Sequence, residues 1–486
     1  MWIRAMVAAL AINLAHAWTA GEGTTLTAFG EQQQPCANAA GINWCGGENP
    51  RRGVTGLGFL DTDRLVVARM NGSIEIYNYT TQEQLSTHDI QANMNNLPGE
   101  AGLTGMSVYG GDIYFSHNYY SAPLDTYGVA IRKLDAHGAF TLLYHLEGGN
   151  LGANAHNLHG PYIAHVGDSD TPVLIAPFGD LNSASTATDA TTDAGKVLIM
   201  HLDGSMLDKQ TFDTGHPNNM HLAYGNRNMF QISCLPATHD PHKRCLWSEN
   251  GNAMQRLVFT SLLGGGALDL KWRGDDSTAW LNMVDPINGA GAVLHSQNDE
   301  SCVFTTIMPE LTTTGDIVFV KSCTGGSGEG RQVTVQKIAN VMAAQPALIQ
   351  LGVLMQSEAS TASSPMATAV VPEADGELVI GDVFEGNLFV AENNLLKPSE
   401  YTIAVGTPVT QVESFCTTRP EWRFVNFAFA AAYVLNTIVI VIWARFALHR
   451  YEKLSEEYEC NPVIFLCITA LCTLVVATVF QHIVTT

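Results

Sequence analysis

The chain has 486 residues, enough for one large domain or two to three ordinary ones, and its 24 Lys and Arg against 46 Asp and Glu leave a formal net charge of -22. Nucleic-acid recognition needs a basic surface, so no nucleic-acid partner is expected. The acidity serves solubility or favours a bound cation.

The N-terminus reads "MWIRAMVAALAINLAHAWTA". One Arg precedes a short apolar run that ends in Ala15-His16-Ala17, the pattern of a signal peptide over residues 1–17. An anchor helix is the other reading, although the run is short for a membrane span. Residues 18–50 hold Cys36 and Cys45 and are taken as a short disulfide-containing segment.

From 51 to 400 one arrangement recurs: an apolar strand, a Gly- or Asp-containing turn, then another strand. It is seen in "RLVVARMNGSIEIYN" from Arg64, "DIYFSHNYY" from Asp112 and "VLIAPFGD" from Val173 with "GKVLIMHLDGS". It returns in "CLWSENGNAMQRLVF" from Cys245, "DIVFVKSC" from Asp316 and "ELVIGDVFEGNLFVAE" from Glu377. Helical periodicity is nearly absent and strand alternation common. Six two-strand units, each with room for two more strands, predict an all-β fold, a six-bladed β-propeller over 51–400. A pair of β-sandwiches is the alternative.

Residues 401–423 read as a juxtamembrane linker. Two long apolar stretches follow, 424–444 and 461–483, and predict a C-terminal hairpin of two transmembrane helices. Arg445, Arg450 and Lys453 place the intervening loop, 445–460, on the cytoplasmic side. The expectation is a multi-pass membrane protein whose large domain is extracellular or lumenal. Cysteine spacing suits that compartment, since Cys36/Cys45, Cys234/Cys245 and Cys302/Cys323 fall as close neighbours and predict local disulfides. Asn71 and Asn78 head glycosylation sequons.

The stretch "GGNLGANAHNLHGPY", Gly148 to Tyr162, carries His156 and His159. Imidazole titrates near neutrality, so either could act as a general base. Zinc binding would need further ligands, and no third one is evident. Two uninvolved loop histidines are the remaining reading.

Several motifs occur in a telling order: "GLGFLDTDRLVVARMNGSI", "GEAGLTGMSV", "FGDLNSASTATDATTDAGKVLIMHLDGS", "TGHPNNMHLAYG", "LWSENG" and "SSPMATAVVPEADGELVIGDVFEGNLF". Over Val54 to Val390 this order resembles the glucose/sorbosone dehydrogenase family, six-bladed propellers that include pyrroloquinoline-quinone (PQQ) sugar dehydrogenases and non-enzymatic relatives of the hedgehog-interacting type. The resemblance implies oxidation of a sugar or related alcohol, with PQQ as cofactor and calcium as a companion ion. It implies a base early in the third blade, His159 beside Gly160 or else His156. It implies ligand contacts at Glu100 and Asn218, calcium near Glu249 and Gly251, and blade-turn roles for Asp180 and Asp382.

The departures from the family are electrostatic. PQQ is a tricarboxylate and needs several fixed cations. Pro217 stands where the family has an Arg, "STASSPMATA" from Ser360 lacks its Lys, and Asp382, Glu385 and Asn387 occupy a final turn where it has Arg. Arg227 and Lys321 are the remaining candidates to reach the centre. Two functions stay open: a membrane-anchored oxidoreductase with a quinone cofactor, or a non-catalytic receptor or adhesion ectodomain that binds a glycan or protein.

Overall fold

The structure is a computed structural model. It describes residues 18–30, 53–90, 101–121, 126–147, 156, 158–166, 171–181, 184–210, 212–235, 240, 242–250, 255–263, 267–270, 293–297, 302–307, 317–323, 331–339, 346–357, 365–374, 376–383 and 386–396. The chain divides into two compact units, Met1–Gly406 and Thr407–Thr486, and every described residue belongs to the first. The predicted signal segment, the two predicted spans, the Cys36/Cys45 pair, Glu100 and Gly251 lie outside the described residues. Among those described, no helix is long and apolar enough to cross a membrane.

The strands form six sheets. The first holds β3 (Val54–Phe59), β4 (Arg64–Arg69), β5 (Ser73–Asn78) and β6 (Gln84–Asp89), and the second β7 (Leu103–Tyr109), β8 (Asp112–Ser121), β9 (Thr126–Leu134) and β10 (Phe140–Glu147). The third holds β11 (Tyr162–Val166), β12 (Thr171–Pro177), β13 (Lys196–His201) and β14 (His221–Tyr224), with the short β18 (Leu268–Asp269) added in parallel. The fourth holds β15 (Met229–Cys234), β16 (Cys245–Asn250), β17 (Gln255–Thr260) and β19 (Val293–Gln297). The fifth runs through β20 (Cys302–Ile307), β21 (Ile317–Cys323), β22 (Gln332–Ala339) and β23 (Ala347–Ser357), and the sixth through β24 (Pro365–Val370), β25 (Glu377–Asp382) and β26 (Leu388–Asn393).

The leading strand of each sheet touches the leading strand of the next, β3 to β7, β11, β15, β20, β24 and back to β3. That closed circuit makes the fold a six-bladed propeller. The inner strands converge on the axis and leave little room between blades. A Cβ on Gly56 would sit 2.3 Å from Met106 Cγ, so only glycine fits where β3 meets β7.

The ring starts earlier than the sequence boundary at residue 51. Strand β2 (Thr24–Ala28) is the outermost strand of the sixth blade, paired antiparallel with β26 from Thr24 opposite Asn393 to Ala28 opposite Phe389. Strand β1 (Trp18–Ala20) extends the fifth blade along β23. These segments lie over 300 residues from their partners in sequence, which is why local patterning assigned them elsewhere.

Alternation also proves narrower than expected. Middle strands such as β4, β13 and β21 are buried almost end to end, because both faces of each blade are covered by neighbouring blades. Only outer strands such as β6 show an exposed, alternating face. Cys234 and Cys245 form a disulfide across the β15–β16 pair. Cys323 is disulfide-bonded and lies in register with Cys302. The sequon residues serve turns: Asn71 Oδ1 accepts from the Ser73 backbone N–H at 3.1 Å, and Asn78 Oδ1 from the Thr81 N–H at 2.7 Å.

Removing residues 1–28 should expose the edges of β23 and β26. A fall in Tm of more than about 10 °C is expected, the scale of losing several kcal/mol. A thermal melt that matches the full chain would refute closure by β1 and β2.

Candidate active site

Strand direction alternates within each blade. One end of the ring therefore collects the segments that lead into the inner strands and the turns between second and third strands. His156 and His159 precede β11, and Asp180 opens the β12–β13 turn. Arg227 and Asn228 precede β15, Glu249 lies near the end of β16, and Asp382 ends β25. The sequence candidates Arg227 and Glu249 thus share an end with both histidines. Asn218 does not: it sits in the β13–β14 connection, at the other end, with Nδ2 3.3 Å from His221 Nε2 and Oδ1 accepting from the Met220 N–H.

The histidine loop is held by hydroxyls of the second blade. Ser107 Oγ donates to the Pro161 carbonyl at 2.7 Å, and Thr104 and Ser116 hydroxyls donate to the carbonyls of Leu158 and Gly160. The His159 backbone N–H donates to Pro177 O. These bonds fix the chain on both sides of His159, and His156 adopts a left-handed backbone, φ 60°. Strained conformations of this kind persist where the surroundings over-determine them.

The two imidazoles differ in kind. His156 Nδ1 lies 2.6 Å from Asp180 Oδ1, and Asp180 is 2% exposed. Asp180 is itself anchored: its N–H donates to Arg227 O, and its carbonyl accepts from Thr186 Oγ1. An ionised carboxylate only accepts, so the proton rests on Nδ1 and the lone pair on Nε2, the tautomer of an oriented base. His159 is packed instead. Its ring packs tilted against Phe230, centroids 4.2 Å apart, its Nε2 meets Asn228 Oδ1 at 3.2 Å, and burial lowers its pKa to about 4. Of the two candidates, His156 is the imidazole held by a carboxylate, and His159, to which the family pattern pointed first, is the one packed against Phe230 and Asn228.

Glu249 organises the next layer. It is fully buried, and its Oε1 accepts from the backbone N–H groups of Arg227 at 2.8 Å and Asn228 at 3.2 Å. That fixes the segment that presents Asn228 to His159. Desolvation pushes the Glu249 carboxyl up to about 7, against the lowering effect of those N–H groups and of Arg256 and Arg227. Sequence reading passed over Asn228. Its signal was the turn "GNRN", Gly225 to Asn228, directly ahead of an inner strand. Among the described residues no cluster of three His, Cys, Asp or Glu forms a metal site.

Positive charge at this end is already matched. Arg69 binds Glu75 at 2.7 Å and the Gly386 carbonyl at 2.9 Å. Lys196 is buried, donates to the carbonyls of Thr186, Ala187 and Ala194, and has its pKa lowered to about 8 by burial. Arg227, Arg256, Lys321 and Arg331 lie at this end too, and so do the carboxylates of Asp180, Asp189, Asp193, Glu249 and Asp382. Arg227 does reach this end, so the region is less bare of cations than the Pro217 position implied. The described residues thus offer no positive excess for a tricarboxylate such as PQQ.

No protein-family profile matches the chain. No curated protein matches it either. Solved structures do. The soluble aldose sugar dehydrogenase of Escherichia coli in its apo form aligns with TM-score 0.51 at 12% identity, over 76% of this chain and 99% of that one. A glucose dehydrogenase aligns with TM-score 0.50 at 13% identity, over 75% and 98%. The fold is that of the sugar dehydrogenases. The PQQ-bound aldose sugar dehydrogenase of Streptomyces coelicolor also aligns, with TM-score 0.47 at 15% identity, over 77% and 99%. At such identities the shared feature is the glucose dehydrogenase-like propeller.

The raised Glu249 pKa gives a signed prediction. The folded state holds that proton between about pH 4.5 and 7 while the unfolded chain does not, so stability falls as pH rises through this window. Glu249→Gln should remove on the order of 2–3 kcal/mol of that fall. Urea midpoints from pH 4.5 to 8 read it, and parallel profiles for variant and wild type would sink the assignment.

Proposed function

We propose that this chain is a glucose dehydrogenase-like protein that oxidises a sugar or related alcohol, with His156 as the base. The observation that carries this reading is the His156–Asp180 pair at the ring end where the blade connections meet. In the proposed step the substrate hydroxyl gives its proton to His156 Nε2. Hydride leaves the same carbon for a two-electron acceptor, and a carbonyl forms. Asp180 holds the ring and stabilises the imidazolium. The electrostatics argue against PQQ as that acceptor. The reading includes the membrane anchor: a leader segment and two C-terminal spans would place the propeller outside the cytosol, near electron carriers of the membrane.

A second reading is favoured by the missing cationic excess. In it the same propeller is a non-catalytic ectodomain that binds a glycan or protein.

Dye-linked oxidation of an aldose panel by the purified full chain separates the two. His156→Gln should lower kcat by about 10²- to 10⁴-fold, the usual share of a general base. Asp180→Asn should cost at least about tenfold by mis-setting the tautomer. His159→Gln should chiefly lower Tm. Undiminished turnover in His156→Gln would overturn the proposed base, and sugar binding with no dye reduction would favour the second reading.

A further inference from the structure

The ring encloses a space that the His156 site does not use. A cavity of about 290 Å³ lies among the inner strands β3, β7, β11, β15 and β24. Its polar lining comes from Thr55, Ser107, Tyr162, Gln231, Ser233 and Thr368, interleaved with aliphatic and aromatic side chains, and none of the described lining residues is charged. Glycines keep the wall thin: a Cβ on Gly105 would stand 2.7 Å from the Gly160 backbone nitrogen.

Three features point to an occupant. Thr368 is 7% exposed, and its hydroxyl has no hydrogen-bond partner among the described residues. A buried hydroxyl left in that state costs roughly 1–3 kcal/mol. The Tyr162 hydroxyl accepts from the Gln231 N–H at 3.1 Å, which leaves its own proton to be donated. Burial raises the Tyr162 pKa, so it remains a donor across the working range. Gln231 itself has a left-handed backbone, φ 44°, at the cavity wall. Strain of this kind costs on the order of 1–3 kcal/mol and clusters at ligand sites.

We propose that the central channel is a binding site for a small neutral polyol, separate from the His156 site. The chemistry of the wall selects the class. Hydroxyl and amide groups match the O–H groups of a polyol, and Leu57, Met106, Ile163 and Ile232 match its C–H faces. An anion or cation would lose its hydration and meet no opposite charge. The volume is at the lower limit for small-molecule pockets, which suits a molecule between glycerol and a hexitol.

The test is calorimetric titration of the full chain with D-glucitol, with gluconate as the charged analogue. Saturable glucitol binding is expected, with gluconate at least about tenfold weaker. Thr368→Val should weaken glucitol about tenfold, the scale of one hydrogen bond, and Thr368→Ser should restore it. Thr55→Val, on the neighbouring inner strand β3, is a second probe should Thr368→Val fold poorly. The His156→Gln protein should bind glucitol normally, which separates this site from the proposed active site. Absence of saturable binding, or binding indifferent to Thr368→Val and Thr55→Val, overturns the proposal. So does loss of binding in His156→Gln.

Discussion

Closure of the ring is the constraint on which everything else depends. A propeller blade buries both faces only if it has neighbours on both sides, and the first and last blades acquire theirs only when the circle shuts. Here β2 is the outer strand of the blade whose other strands come from the C-terminal part of the propeller. Backbone hydrogen bonds along β2 and β26 lock that seam, and the Asn393 amide reaches the Thr24 hydroxyl at 2.6 Å. Convergence of the inner strands follows from closure, and so do the demand for glycine where they touch and the gathering of blade connections at one end.

That gathering turns a common loop sequence into a defined site. His156 is positioned through a chain of contacts that crosses two blade boundaries. The second blade holds the loop through Ser107, Thr104 and Ser116. Asp180, in the third blade, holds the ring and is tied by its N–H to Arg227 at the edge of the fourth. Arg227 and Asn228 are in turn held by Glu249. The His156 ring is thus oriented by groups scattered across the sequence, and rigidity comes from the blades rather than from the loop.

This explains which features could be read from the sequence. Runs such as "RLVVAR" and "KVLIMH" declare buried strands, because β-branched and aliphatic residues crowd them. Their sixfold recurrence carried the fold. Strand β2, "TTLTA", is half exposed and polar, and only its distant partner makes it a strand. His156 and His159 are the same residue type three positions apart, and no local pattern separates them. What separates them is Asp180 on one side and Phe230 with Asn228 on the other, all brought in by the ring. Asn218 lies in a local match, "TGHPNN", that the topology places at the opposite end.

The buried Lys196 ammonium has a wider implication. Its three donors are spent on the carbonyls of Thr186, Ala187 and Ala194, in the turn that begins just after Asp180. Carbonyl oxygens gathered round a positive centre are the usual wrapping of a loop-bound metal ion. Here the centre is tethered covalently to the start of β13. The tethered ammonium gathers these carbonyls as such an ion would. Loss of the lysine's proton would discharge it, so the support beneath Asp180 weakens as pH rises through the lysine's lowered pKa.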